Sequence, residues 1–306
     1  MTKRVGQASK AEADAGDAAV QVLPLNGAGP SLLVLEGAGS ARAVIWPGTG
    51  ATERSVHLIQ LGPLSGTVRL EHLAESVYYV LDGSGTVAGD GPAAATSLVP
   101  GSMVHMGPGT GYRFRAGPGG LRIFGGPCPH DPALYAGTGG AGGARRKSAG
   151  TPAGEPDGTV GPADPSITVL HKDEPALMLP LISADARMIV WPGNGAWTAT
   201  MNYVRMQPGE ENSPHTHAES EDTIVILEGR GSIDDLTHGE THEFRAGDVV
   251  HVPAGVRHAV RANRGENVVS VGGPCPADLL FLRMCGAEIP ERDQPSAGPR
   301  RRHGMP

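Results

Sequence analysis

The chain has 306 residues, enough for two ordinary domains that each bury a core. Aromatic residues are only 4%, whereas 46 Gly and 27 Pro favour short strands and many turns over long helices. A net charge of −7 argues against a nucleic-acid partner, and no apolar run approaches the roughly eighteen residues of a membrane span. Three scattered cysteines argue against a disulfide framework and imply reduced thiols.

In chain order, residues 1–20 read as a flexible N-terminus without the apolar core of a signal peptide, so a soluble, cytoplasmic protein with no membrane partner is expected. Residues 21–135 carry short β-rich runs, SLLVLEG at 31–37 and SVYYVLDG at 76–83, separated by Gly/Pro turns. Residues 136–165 are a Gly/Ala/Pro-rich linker, and its Arg145-Arg146-Lys147 cluster reads as solvated charge. From 166 to 286 the β-rich pattern resumes, with DTIVILEG at 222–229 and ENVVSVGG at 266–273. Apolar spacing in PADLLFLRMCG, 276–286, predicts one short helix, and 287–306 reads as a flexible tail.

The second stretch repeats the first. IWPGTG at 45–50 returns as VWPGNG at 190–195, YVLDGSG at 79–85 as VILEGRG at 225–231, and GGPCP at 125–129 as GGPCP at 272–276. Landmarks in one order at offsets of 145, 146 and 147 mark a tandem duplication of an antiparallel sandwich or barrel.

Chemistry concentrates in the second copy, in GEENSPHTHAESEDTIVILEG (209–229) and GDVVHVPAGVRH (247–258). Side chains alternate faces along a strand, so His215 and His217 present two imidazoles to one side. A carboxylate follows after a short break, and His258 follows the Pro253-Ala254-Gly255 turn. Three neutral nitrogens and one anionic oxygen suit a divalent first-row metal with open positions for water, substrate or dioxygen.

These two stretches resemble the motifs of the cupin family. Gly209, His215, His217 and Gly229 fall on its first motif, and Gly247, Pro253, Gly255 and His258 on its second. Ala262 stands where the second motif has Asn. Counting back from Gly229, the family's Glu position is Asp222, with Glu221 as the substitute should the break before the strand shift by one. The resemblance implies an all-β chain of two jelly-roll barrels. It also implies one divalent ion (Fe first, then Mn, Ni, Co, Cu or Zn) held by His215, His217, Asp222 and His258, with Glu221 a spare carboxylate or base. Metal cupins include dioxygenases, isomerases, decarboxylases and hydrolases. A dioxygenase acting on a small chelating metabolite is the first expectation, and a non-redox enzyme or a binding protein with a structural metal is the alternative. Ile224 and Ile226 are expected to wall the ion, and pairing of sheet faces raises a homodimer.

At an offset of 146, His215, His217, Asp222 and His258 fall on Arg69, Glu71, Ser76 and Tyr112, so the first copy is expected to be metal-free and structural. A metal-independent pocket around Arg69, Glu71 and Tyr112, or a displaced His72/Glu75 ligand pair, are the competing readings. His105 and His251 are expected on a sheet face or interface, His238 and His242 on a solvated turn, Cys128 and Cys275 as small buried hydrophobes, and Trp46 and Trp191 as core anchors.

Overall fold

The computed structural model describes residues 18–136 and 166–291. The expected linker core at 137–165, the first seventeen residues and the tail from 292 lie outside the described residues. Among the described residues every sheet is antiparallel, and the α-helix is α1 (Leu279–Met284), where the apolar spacing predicts it. The architecture is the expected pair of tandem jelly rolls.

Alternation along the strands sorts side chains into three cores. In the strand Asp222–Glu228, residues 222, 224 and 226 face the interior of the second barrel, whereas Val225 faces the other way. The second barrel is filled by Met188, Met206, Ile226, Ile233, Phe244 and Val260. The first is filled by Ile59, Tyr78, Tyr112, Phe114 and Ile123. Outward-facing residues of both halves, among them Ile45, Tyr79, Phe124, Ile189, Met201 and Val225, meet in a third core that joins the barrels. Each fully buried aliphatic or aromatic side chain there contributes about 1.5–3 kcal/mol, so the halves are not independent bodies.

The repeat boundary is not the boundary of the sheets. Gln21–Pro24 pairs with Asp248–Val252 of the second barrel, in the register Gln21↔His251 to Pro24↔Asp248. Reciprocally, Ile167–His171 pairs with Ser102–Met106 of the first barrel. The division at 21–135 and 166–286 therefore assigns two strands to halves whose sheets they do not join. Val20 packs in the second barrel and its N–H donates to Asp235 Oδ2 at 3.1 Å. Residues just past the expected end are also packed, since Ala287 and Ile289 lie against the second core.

Two buried carboxylates cross between the halves in the same reciprocal manner. Glu75 accepts the backbone N–H groups of Trp197, Thr198 and Ala199 at 2.8–3.1 Å. Glu221 accepts those of Thr52, Glu53 and Arg54 at 2.7–3.0 Å. His105 lies 3.5 Å from Glu75 and His251 3.6 Å from Glu221, the interface role expected for this histidine pair. Cys128 and Cys275 meet in the same region as a disulfide with Cα atoms 6.3 Å apart, which corrects the reduced-thiol expectation. Their spacing of 147 residues conceals the pairing, because only the packed repeat brings the two GGPCP turns together.

Burial alone would raise the Glu75 pKa, but the His105 imidazole and the three N–H donors outweigh it and bring the carboxyl down to about 2. A depressed folded pKa gives stability that is present above the unfolded value of 4.5 and is lost as pH falls toward about 2. Glu75→Gln is expected to lower the thermal midpoint at pH 7, and its gap to the wild type should narrow as pH falls through that window. Melting curves from pH 7 to pH 2 check this, and a gap independent of pH contradicts it.

Candidate metal centre

The short strand His215–Thr216 pairs with Arg257–Ala262 so that His215 lies directly opposite His258. Cross-strand pairing thus joins two histidines that are far apart in sequence, with ring centroids 4.4 Å apart. His217 follows two residues later, its ring 5.0 Å from His215 and 5.8 Å from His258. The Pro253–Val256 turn holds this arrangement, since Gly255, at φ +82°, donates its N–H to the His217 carbonyl at 2.8 Å.

Each imidazole is oriented through its Nδ1. Nδ1–H of His215 donates to Ser213 O at 2.9 Å, that of His258 to Val256 O at 3.1 Å, and that of His217 to Asp278 Oδ2 at 2.8 Å. These partners fix the tautomer and leave the three Nε2 lone pairs free. One ligand atom from each of the three histidines lies within 4.8 Å of the others. His217 and His258 are buried, and His258 Nε2 is a buried atom with no hydrogen-bond partner. Burial first, then His258 and His217, pull the His215 pKa down to about 3, and burial likewise lowers that of His258. Neutral imidazole is the form that binds a metal.

The pleat sends the two adjacent acids to opposite sides. Neighbouring residues on a strand face opposite sides, and Asp222 points inward with Oδ2 4.0 Å from His217 Nε2. Its Oδ1 is buried without a hydrogen-bond partner. Glu221 points outward to the first half, where three N–H groups, the Thr52 hydroxyl and His251 occupy it. Glu221, expected as a spare ligand or base, has its oxygens bridging the halves rather than facing the imidazoles. The donor set at this centre, three Nε2 lone pairs and an under-satisfied buried carboxylate, fits a divalent cation.

Sequence reasoning missed Asp278 and Phe281. Asp278 is the N-cap of α1, its Oδ1 accepting the Phe281 N–H at 2.9 Å while Oδ2 accepts the His217 Nδ1–H. The Phe281 ring lies 5.3 Å from both imidazoles, tilted against His215 and edge-on to His217, so α1 closes the apolar side of the centre. Ile224 and Ile226 belong to the core below, with Ile226 fully buried and Ile224 partly so. The repeat carried a signal for Asp278, since Cys-Pro-Ala-Asp at 275–278 mirrors Cys-Pro-His-Asp at 128–131.

In the first barrel, Leu70 pairs with Tyr112 as His215 pairs with His258. His72 donates Nδ1–H to Asp131 Oδ2 at 2.8 Å as His217 does to Asp278. The counterparts of His215 and His217 are therefore Leu70 and His72, not Arg69 and Glu71. The connection from His72 to Glu75 is one residue shorter than that from His217 to Glu221, which breaks a constant offset. Leu70, His72, Ser76 and Tyr112 replace the four donors, and the Tyr112 hydroxyl hydrogen-bonds Tyr78 at 2.9 Å in the filled interior. Arg69 turns to the surface to pair with Glu71 and Asp90, so no pocket unites it with buried Tyr112. Glu75 is committed to the other half and is no partner ligand for His72. His238 sits on its turn bonded to Asp235 at 2.8 Å.

Residues 202–271 match the family model described as Cupin domain. The chain is 30% identical over 110 residues to oxalate oxidase 2 of Hordeum vulgare, covering 33% of this chain and 49% of that protein. It is 36% identical over 78 residues to polyketide synthase CurC of Streptomyces cyaneus, covering 25% and 49% respectively. L-ectoine synthase of Hyphomonas neptunium is 40% identical over 52 residues, 17% of this chain and 38% of that one. The matches thus span half or less of these relatives' own length. Among solved structures, an oxalate decarboxylase variant of Bacillus subtilis superposes with a TM-score of 0.62 at 15% identity, covering 86% of this chain and 78% of that one.

Asp278→Asn keeps the helix cap but weakens orientation of the His217 ring. It is expected to lower divalent-metal affinity about 10–100-fold with little change in the metal-free thermal midpoint. Metal titration followed by calorimetry checks this, and unchanged affinity contradicts it.

Proposed function

Since the chain is a bicupin of the cupin superfamily, we propose that it is a metal-dependent enzyme that converts a small, metal-chelating carboxylate metabolite, in a dioxygen-using oxidation. The observation that carries this reading is the convergence of one ring nitrogen from each of three histidines, every ring oriented through its Nδ1 contact, beside the inward carboxylate of Asp222. His215, His217, His258 and Asp222 would hold one divalent transition ion, iron or manganese. Manganese is supported by a similar Bacillus subtilis oxalate decarboxylase described for its Mn(II) centres. When bound, such an ion supplies Lewis acidity and, with dioxygen, redox chemistry.

The chain's own residues supply the rest. Ser213, Val256 and Asp278 accept the three Nδ1–H groups, so the rings are held with Nε2 directed at the centre. The Phe281 ring covers the His215 and His217 rings and excludes water from that side. With Glu221 engaged elsewhere, Asp222 is the carboxylate beside the imidazoles. The relatives named as oxalate oxidases support an oxidation of a small dicarboxylate. A non-redox conversion at the same centre is the second reading, supported by the decarboxylase and synthase among the similar proteins.

Protein purified without a histidine tag is expected to carry iron or manganese, and His215→Ala or His258→Ala to reduce bound metal to near zero. Leu70→Ala should leave it unchanged. Small dicarboxylates offered in air and under nitrogen then separate the readings. Oxygen uptake coupled to product supports the oxidation, turnover under nitrogen moves the assignment to the non-redox reaction, and metal retained by both histidine variants overturns the centre.

A further inference from the structure

We propose that the outer face of the first barrel carries a phosphate-binding site centred on Arg115, for inorganic phosphate or the phosphate group of a small metabolite. It lies in the half without the three histidines and uses no group of the metal centre.

Thr86 pairs with Ser97 on one side and with Arg115 on the other, so the register sets two hydroxyls and a guanidinium in one row across three adjacent strands. Their neighbours Val87, Leu98 and Phe114 are buried in the barrel, which turns the row outward. The row lines a groove of about 380 Å³ together with Ser84 and Val99. Gly117 keeps the groove open at Ser84, since a Cβ there would come 3.0 Å from the hydroxyl oxygen. Among the described residues, the side chains of Ser84, Thr86, Ser97 and Arg115 have no hydrogen-bond or ion-pair partner. Arg113, on the same face, is instead drawn to Asp90 at 3.7 Å.

The internal repeat supplies an independent line. Ser232 pairs with Glu243 and Arg261 as Thr86 pairs with Ser97 and Arg115, so Arg261 is the counterpart of Arg115 and Glu243 that of Ser97. Along the same strands, Asp234 follows Ser232 at the spacing at which Ala88 follows Thr86. On its other side Arg261 bridges to Glu211, whereas Arg115 pairs with Gly66. The Arg261 guanidinium is occupied by Glu211 at 2.9 Å and Asp234 at 3.2 Å. In the first barrel Glu211, Asp234 and Glu243 are therefore replaced by Gly66, Ala88 and Ser97. The cation is kept and its acids are gone, which leaves a positive centre open to an anion from solution.

A guanidinium presents a planar fork that phosphate oxygens take in two parallel hydrogen bonds. The three hydroxyls add donors for the remaining oxygens, and Val99 borders the space beyond them. Calorimetric titration of the full chain with inorganic phosphate and, separately, with phenyl phosphate tests the site. Both should bind saturably, and Arg115→Gln should weaken binding about tenfold or more. Ser97→Glu returns the acid found in the other half and should weaken it comparably, with the guanidinium left in place. Arg261→Gln should bind as wild type does, and all three variants, at exposed positions, should keep the wild-type thermal midpoint. Tighter binding of phenyl phosphate assigns the phosphorylated metabolite, and equal binding assigns free phosphate. No saturable binding overturns the site, as does binding that survives both Arg115→Gln and Ser97→Glu or falls equally in Arg261→Gln. Binding should also persist after chelator treatment; its loss would assign the phosphate to a bound ion and overturn the site, so this result is separate from the fate of the metal centre.

Discussion

The contact on which the rest of the molecule depends is the reciprocal insertion of Glu75 and Glu221, each into a run of three backbone N–H groups of the opposite half. A buried carboxylate with that many donors has one stable place, and it fixes the strand that carries it. For the second barrel this has a chemical result. With Glu221 held outward, the pleat obliges Asp222 to point inward, toward the imidazoles. The interface between the halves thus sets which of two adjacent acids meets the centre.

Much of this was legible in the sequence, for definable reasons. The His-x-His spacing, the Pro-x-Gly turn and the paired landmarks are local patterns, and they gave the all-β duplication and the triad His215, His217 and His258. The choice between Asp222 and Glu221 needed the strand register, which Gly229 marks from the C-terminal side. The contacts between halves were hidden. Nothing local shows that Glu221 faces residues 52–54, that Gln21–Pro24 adds to a sheet at 248–252, or that Cys128 meets Cys275. Each is a long-range pairing created by the packing of one repeat on the other.

A constant offset also misled the comparison of the copies. One residue fewer between His72 and Glu75 moves the partner of His217 from Glu71 to His72. The first barrel therefore keeps an oriented imidazole and its Asp131 acceptor, while Leu70 and Tyr112 remove two donors and aromatic packing fills the interior. Degeneration here is a replacement of ligands within a preserved frame, with the hydrogen bond that orients the ring left in place.

The exchanged strands and the Cys128–Cys275 bond bear on how the molecule stays in one piece. A peptide bond hydrolysed anywhere from 137 to 165 would yield two fragments that are still threaded into each other's sheets and still joined through sulfur. The exchanged strands and the disulfide all lie within 18–136 and 166–291, so these contacts do not depend on an unbroken backbone between the repeats.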